Sequence, residues 1–133
     1  MNIYELAAVR TNNFKDLEMV DKIQRVWTEA QRKLREEGNL YGVYHEFESD
    51  YKGDYTLSIA SGSAEGRSLV IDDKANYRVF PVDRTQEMAV YQTWQAIWAL
   101  EEQGALKRAY RLDYEKYDVD GSIDIFIEIY SES

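Results

Sequence analysis

Glu115 lies between Tyr114 and Tyr117 in the run Arg108 to Tyr117, where aromatic and charged residues interleave. A carboxylate held among rings is costly to desolvate unless something pairs with it. An organic cation would repay that cost through charge, while the rings covered its apolar body by stacking and cation–π contact, each on the order of 1 kcal/mol. The chemistry these residue types suit is therefore an anionic floor in an aromatic pocket for a cationic organic ligand. The chain holds eleven tyrosines and three tryptophans, enough to line such a surface as well as fill a core.

Other chemistries find little material. There is no cysteine, hence no disulfide or thiolate, and His45 is the only histidine, which disfavours His-based metal sites and a Ser-His triad. No phosphate-binding glycine loop or Gly-x-Ser-x-Gly elbow occurs. Asp118-Val119-Asp120-Gly121 begins like a calcium loop, but a strand follows at once, so it reads as a hairpin turn. No catalytic residue, metal or cofactor is assigned. The net charge of −9 opposes direct nucleic-acid binding and favours cationic partners, although it also serves solubility alone. No apolar run is long enough to span a bilayer, and no signal-peptide pattern is present, so the expected location is the cytoplasm, away from membrane.

The length fits one domain over 1–133. Its elements read as follows: a strand over Ile3 to Arg10; a turn with a helix cap at Thr11, Asn12 or Asn13; and a helix from about Lys15 to Glu36 with Leu17, Val20, Ile23, Trp27, Ala30 and Leu34 on its apolar stripe. Strands follow over Leu40 to Glu48 and Tyr55 to Ala60, joined by a hairpin loop. Ser61 to Arg67 reads as a loop and Ser68 to Ile71 as a short strand. The pattern then repeats: a strand over Ala75 to Val82, a helix from Thr85 to Gln103 with Met88, Tyr91, Trp94, Ile97 and Trp98 on its apolar face, and strands over Leu106 to Tyr117 and Ser122 to Tyr130.

Shifting the chain by 67 residues lays Trp27 on Trp94, Ile23 on Val90, Ala30 on Ile97, Phe47 on Tyr114 and Glu48 on Glu115. Together these suggest an α+β fold of two duplicated β-α-β-β units, about 1–62 and 74–131, related by a pseudo-twofold axis. Each helix needs an apolar sheet face to pack on. The isoleucines of 123–129 and the Tyr55-Leu57-Ile59 face supply it. By elimination the opposite face takes Tyr44, Glu46, Glu48, Asp113, Glu115, Tyr117, Asp124, Phe126, Glu128 and Tyr130, and the expected cleft lies there, away from the two helices. The same residues also suit the plain wet face of an antiparallel sheet. Tyr110, Leu112 and Tyr114 read as core under the helix, as do Trp27 and Trp94. His45 is placed under the first helix with a hydrogen-bond partner, and Trp98 at a pocket mouth.

The chain resembles the bacterial effector-binding superfamily shared by AraC/Rob-type and BmrR-type regulators and GyrI-like proteins, most of all its stand-alone drug-binding versions carried on integron gene cassettes. The residues that carry the resemblance are Asn12-Asn13 before a helix with Trp27; Tyr41-Gly42-Val43-Tyr44 with the segment Glu48 to Tyr55; Asn76 to Phe80; Trp94 with Ile97; and Asp113 to Tyr117 before Ile125-Phe126-Ile127. The resemblance implies antiparallel sheet, two main helices, a cleft between halves, and a cleft-floor glutamate that pairs with lipophilic cations; the matching position is Glu115, and Tyr77 matches a further family aromatic. The site expected on both grounds comprises Glu115, Tyr77, Tyr117, Phe126, Tyr44, Glu46, Trp98 and Tyr130. Without a DNA-binding extension in the sequence, a transcription-regulating role implies a regulatory protein partner in trans. Two alternatives are a small hydrolase using Glu115 on reactive compounds and a GyrI-like protein-interaction inhibitor.

Overall fold

The computed structural model describes residues 1–34, 36–63 and 66–130. In order the chain forms β1 (Asn2–Thr11), α1 (Met19–Lys33), β2 (Leu40–His45), β3 (Tyr55–Ser61), β4 (Ser68–Val70), β5 (Asn76–Pro81), α2 (Ala89–Glu102), β6 (Leu112–Tyr117) and β7 (Ile123–Ile129). The architecture is α+β. All seven strands make one antiparallel sheet in the order β4-β1-β3-β2-β6-β7-β5, so β2 and β6 meet at its centre. No helix among the described residues is long and apolar enough to cross a membrane.

Two core clusters lie between sheet and helices. Under α1, Val26 and Ala30 meet Ala7, Tyr55, Leu57 and Ile59; under α2, Trp94 and Ile97 meet Val82, Leu106, Ile125 and Ile127. These are the faces that the period-3.6 stripes and the alternating strands require. A third cluster covers the other side of the sheet, where Ile3, Leu69 and Ile71 pack with Tyr41, Val43, Tyr114, Tyr77 and Phe126. Both sheet faces are therefore apolar over much of their area.

The helices are shorter than their periodicity suggests. Asp16 accepts from the Glu18 amide at 2.9 Å, and Asp83 accepts from both the Thr85 amide at 3.1 Å and the Thr85 hydroxyl at 2.6 Å. These turns satisfy the backbone outside a helix, so α1 starts at Met19 and α2 at Ala89, after a left-handed Met88 rather than a Thr85 cap. Part of the expected end of α1 and of the Ser61 to Arg67 loop, and the last residue of the second repeat, lie outside the described residues. Left-handed backbone at Glu46 (φ 52°) ends β2 at His45. Left-handed Tyr110 (φ 57°) does the same upstream of β6, so 106–111 is irregular apart from one bridge, Arg108 to Ile129.

The register of β6 moves the expected cleft to the opposite side of the sheet. Tyr117 pairs with Ile123 and Glu115 with Ile125. Directly opposed residues share a face, so Asp113, Glu115 and Tyr117 lie with the isoleucines under the helices. Leu112, Tyr114, Phe126 and Glu128 lie behind. A turn of 118–121 would oppose Tyr117 to Ser122; the actual connection is one residue longer, and a one-residue slip exchanges the two faces. His45 also lies on the rear face, where its Nε2 meets the Ser58 hydroxyl at 2.8 Å.

Ile97 is fully buried on α2. Ile97→Ala should lower the unfolding free energy by about 3 kcal/mol in urea titrations, through lost burial and the cavity left behind.

Candidate functional site

The hollow lies between the sheet and the inner faces of α1 and α2. It measures about 350 Å³, and its walls include Ile23 and Trp27 from α1, Val90, Tyr91, Trp94 and Trp98 from α2, and Tyr44, Tyr55, Glu115 and Tyr117 from the sheet. Amphipathic helices place a wide apolar face over a sheet, and here the faces diverge enough to leave space rather than close.

Glu115 forms the floor. Its side chain is 2% exposed. Tyr44 Oη donates to Oε2 at 2.8 Å, Trp94 Nε1–H donates to the same oxygen at 2.7 Å, and Tyr117 Oη donates to Oε1 at 2.8 Å. All three donors are neutral, and Glu115 makes no ion pair among the described residues. A carboxylate offers about four lone-pair sites, so Oε1 retains acceptor capacity. Burial raises the Glu115 pKa; the bonds from Trp94, Tyr117 and Tyr44 favour the charged form and offset only part of that rise. Burial and the neighbouring carboxylate push the Tyr44 and Tyr117 phenols up, which keeps both as donors.

Room for the carboxylate comes from β2. Gly42 pairs directly with Glu115 across the β2–β6 junction. A Cβ at Gly42 would stand 2.9 Å from Glu115 Oε1 and 3.4 Å from Trp27 Cζ2. The absent side chain is what lets an acid and an indole share this point.

Rings build the walls in two tiers. The inner tier sets Trp27 edge-on to Tyr117 at 4.9 Å, Tyr44 edge-on to Trp94 at 4.9 Å, and Tyr55 beside Tyr44 at 5.5 Å. The outer tier is at the mouth: Trp98 lies nearly parallel to Tyr51 (14°, 5.9 Å) and contacts Phe14 at 5.5 Å and Tyr91 at 6.1 Å.

The 46–54 segment that carries Tyr51 is pinned from both ends of the molecule. Asn12 Nδ2 donates to the Lys52 carbonyl at 3.0 Å and to Asp54 Oδ1 at 2.9 Å, while its Oδ1 accepts from the Phe14 and Lys15 amides at 2.8 and 2.9 Å. From the other side, the Tyr51 amide donates to Tyr110 Oη at 3.2 Å, Tyr51 Oη donates to Glu102, and Tyr110 Oη donates to Glu101. One polar strap thus joins the start of α1 to the end of α2 across the mouth.

Arg108 closes the end nearest Phe47. Its Nη2 pairs with Asp113 Oδ2 at 2.6 Å and its Nη1 with Glu101 Oε2 at 3.2 Å, and its guanidinium sits 5.5 Å from the Trp94 ring centroid.

Of the expected site residues, the structure brings Glu115, Tyr117, Tyr44 and Trp98 together around this hollow. It places the other four elsewhere. Tyr77 and Phe126 sit behind the sheet around Tyr114, which stacks on Phe126 at 4.5 Å, and Tyr77 Oη donates to the Leu112 carbonyl at 2.9 Å. Glu46, half-exposed, faces Arg67 at 3.7 Å. Tyr130 follows β7 and is 64% exposed. Trp27 and Trp94, whose helical spacing reads as core, do pack on the core clusters under α1 and α2, and they line the hollow as well. Tyr55, Tyr51, Phe14 and Arg108 join them, and Gly42 leaves room beside the floor; of these only Gly42 carries a local signal, a glycine inside an apolar strand.

The fold has a known counterpart. Integron cassette protein VCH_CASS2, from the mobile metagenome of Vibrio cholerae, aligns with a TM-score of 0.78 over 98% of this chain and 90% of that one, at 24% identity. At that identity the likeness is one of fold. No protein-family model and no curated protein sequence matches the chain.

Gly42→Ala tests how tightly the floor is built. It should cost about 1–3 kcal/mol in urea titrations through overpacking against Glu115 and Trp27. Phe126→Ala should also destabilise, yet leave tryptophan fluorescence of the native state unchanged, because Phe126 is behind the sheet.

Proposed function

We propose that this chain is a small-molecule binding module for cationic lipophilic and aromatic compounds, acting as a sensor or sequestering domain of transcription-regulator type. The observation that carries the reading is a buried carboxylate with three neutral donors and no cation of its own, at the floor of an aromatic hollow. An unpaired buried charge is costly, and a ligand cation is the group that would relieve it. The rings above are hydrophobic and attract cations without strict direction, which favours a range of planar ligands. We place the chain in the GyrI-like effector-binding superfamily as a cassette-type member in the cytoplasm. The strand order, which apart from the edge strand β4 is symmetric about the β2–β6 junction, and the matched Trp27–Tyr117 and Trp94–Tyr44 pairs support descent from two copies of one unit. The 67-residue shift does not extend to Phe47 and Glu48, which lie beyond β2 in the strap, whereas Tyr114 and Glu115 lie in β6. Regulation of transcription would run through a protein partner in trans.

The test is fluorescence titration of tetramethylrosamine, a rigid dye cation, into wild type and Glu115→Gln. Wild type should bind, with affinity at least tenfold weaker in the variant. Equal affinities would remove Glu115 from the mechanism. Affinity should also fall as the pH drops through the raised Glu115 pKa, because protonation removes the charge that the cation meets.

Linkage gives the ligand-free protein the opposite behaviour. A carboxyl whose folded pKa is raised stabilises the fold when protonated, and that contribution is lost as pH rises through the folded value. The melting temperature of Glu115→Gln relative to wild type should therefore increase from acid to neutral pH. A difference that stays constant or shrinks would contradict the raised pKa.

A further inference from the structure

The apolar faces of both helices run on past the hollow into water. Among the described residues ten large apolar side chains stand well exposed, and five of them, Phe14, Leu17, Val20, Met88 and Tyr91, fall at or just before the starts of α1 and α2. Phe14 and Tyr91 also line the hollow, and both rings meet Trp98 at its mouth. Val20 is 60% exposed although it shares the stripe of α1 that carries Ile23 and Trp27, at steps of three and four residues. That row leads without a polar break from Trp27, packed on Tyr117 beside the floor, out to open surface. On α2, Met88 is 71% exposed and stands one turn before Tyr91. Single apolar residues on a surface need no explanation, but an apolar collar continuous with a cavity does.

We propose that the ligands are amphiphilic cations, alkylpyridinium or alkylammonium in kind, whose head meets Glu115 and whose hydrocarbon tail leaves the mouth along this collar. This deepens the cation-binding reading and rests on it. Size points to a tail that emerges. A methylene takes roughly the volume of a water, about 30 Å³, so a hollow of about 350 Å³ that has admitted a pyridinium ring has room for about eight chain carbons. Longer chains must lie outside, and the collar is the apolar surface they reach first. Charge selects the head group: the floor carboxylate and the net charge of −9 turn away fatty acids and anionic lipid surfaces. Continuity selects a tail over a protein. Phe14 and Tyr91 belong to both mouth and collar, so a second chain seated there would seal the hollow, whereas a tail covers the same rings as part of the ligand.

Butyl-, octyl- and dodecylpyridinium, titrated calorimetrically below their micelle-forming concentrations, separate the possibilities. Wild type should bind dodecylpyridinium about fifteenfold more tightly than octylpyridinium, a gain of about twofold for each added methylene, as half-covering it on a surface gives. The double variant Val20→Ser with Met88→Ser changes exposed residues outside the walls of the hollow. It should keep the wild-type affinity for butylpyridinium and bring dodecylpyridinium to within about threefold of octylpyridinium. Glu115→Gln should weaken all three by the same factor and keep their ratios. Equal affinity of wild type for octyl and dodecyl chains, with both weakened by Glu115→Gln, would overturn the tail track and leave the cation site standing. A dodecyl preference that survives in full in the double variant would overturn the track as well. Sedimentation of the ligand-free wild type as a dimer, and of the double variant as a monomer, would assign the collar to a second copy and overturn it too. Failure of wild type to bind any of the three, or tetramethylrosamine, would overturn both proposals.

Discussion

A single negative charge removed from water at the centre of the sheet organises the rest of this molecule. Glu115 sits where β2 and β6 join, and its environment supplies hydrogen bonds but no countercharge. Three neutral donors lower the cost of the anion without cancelling it, which is why burial still wins and the pKa rises. Each donor arrives from a different element: Tyr44 on β2, Trp94 on α2 and Tyr117 on β6. Gly42 gives up its side chain at the same point. An acid destabilising to the empty fold is thus surrounded by residues that orient it, a combination more readily explained by a ligand than by stability.

The two helices and the strap decide how open that floor is. Trp27 and Trp94 each bring one edge onto a sheet tyrosine, which props the helices apart at the level of the carboxylate. Above them, the pairing of Tyr51 with Trp98 brings the 46–54 segment over the mouth. Asn12 ties that segment to the start of α1, and Tyr110 and Glu102 tie it to the region around α2. The hollow is therefore framed by contacts with large sequence separation, and its shape depends on the completed fold rather than on any one element.

Much of this frame is legible in the residues. Ile23, Trp27 and Ala30 in α1, and Trp94, Ile97 and Trp98 in α2, recur at helical steps. Tyr55, Leu57 and Ile59 alternate as a half-covered strand must. What pattern does not reveal is which way β6 faces. Leu112 and Tyr114 on one side are more apolar than Asp113 and Glu115 on the other, so alternation turns the wrong side of β6 toward the helices. Loop length before Ile123 does not correct it, because the four-residue turn that Asp118 to Gly121 suggests gives the same wrong parity. The carboxylates of a site sit on the core face against the hydrophobic rule, and that conflict between local pattern and global fold is where such reading fails. Tyr77 and Phe126 illustrate the other half of the error. They form an aromatic cluster of their own behind the sheet, and composition alone does not tell a packed cluster of rings from a lined cavity.

The direct measurement of the central claim is the protonation of Glu115 itself, read by carbon-13 NMR of the glutamate side-chain carboxyl carbons, with Glu115→Gln providing the assignment. In the free protein its midpoint should lie above the ordinary glutamate value of 4.5, and saturating tetramethylrosamine should lower it, because the bound cation favours the charged form. A midpoint at or below the ordinary value, unmoved by the dye, would contradict the account.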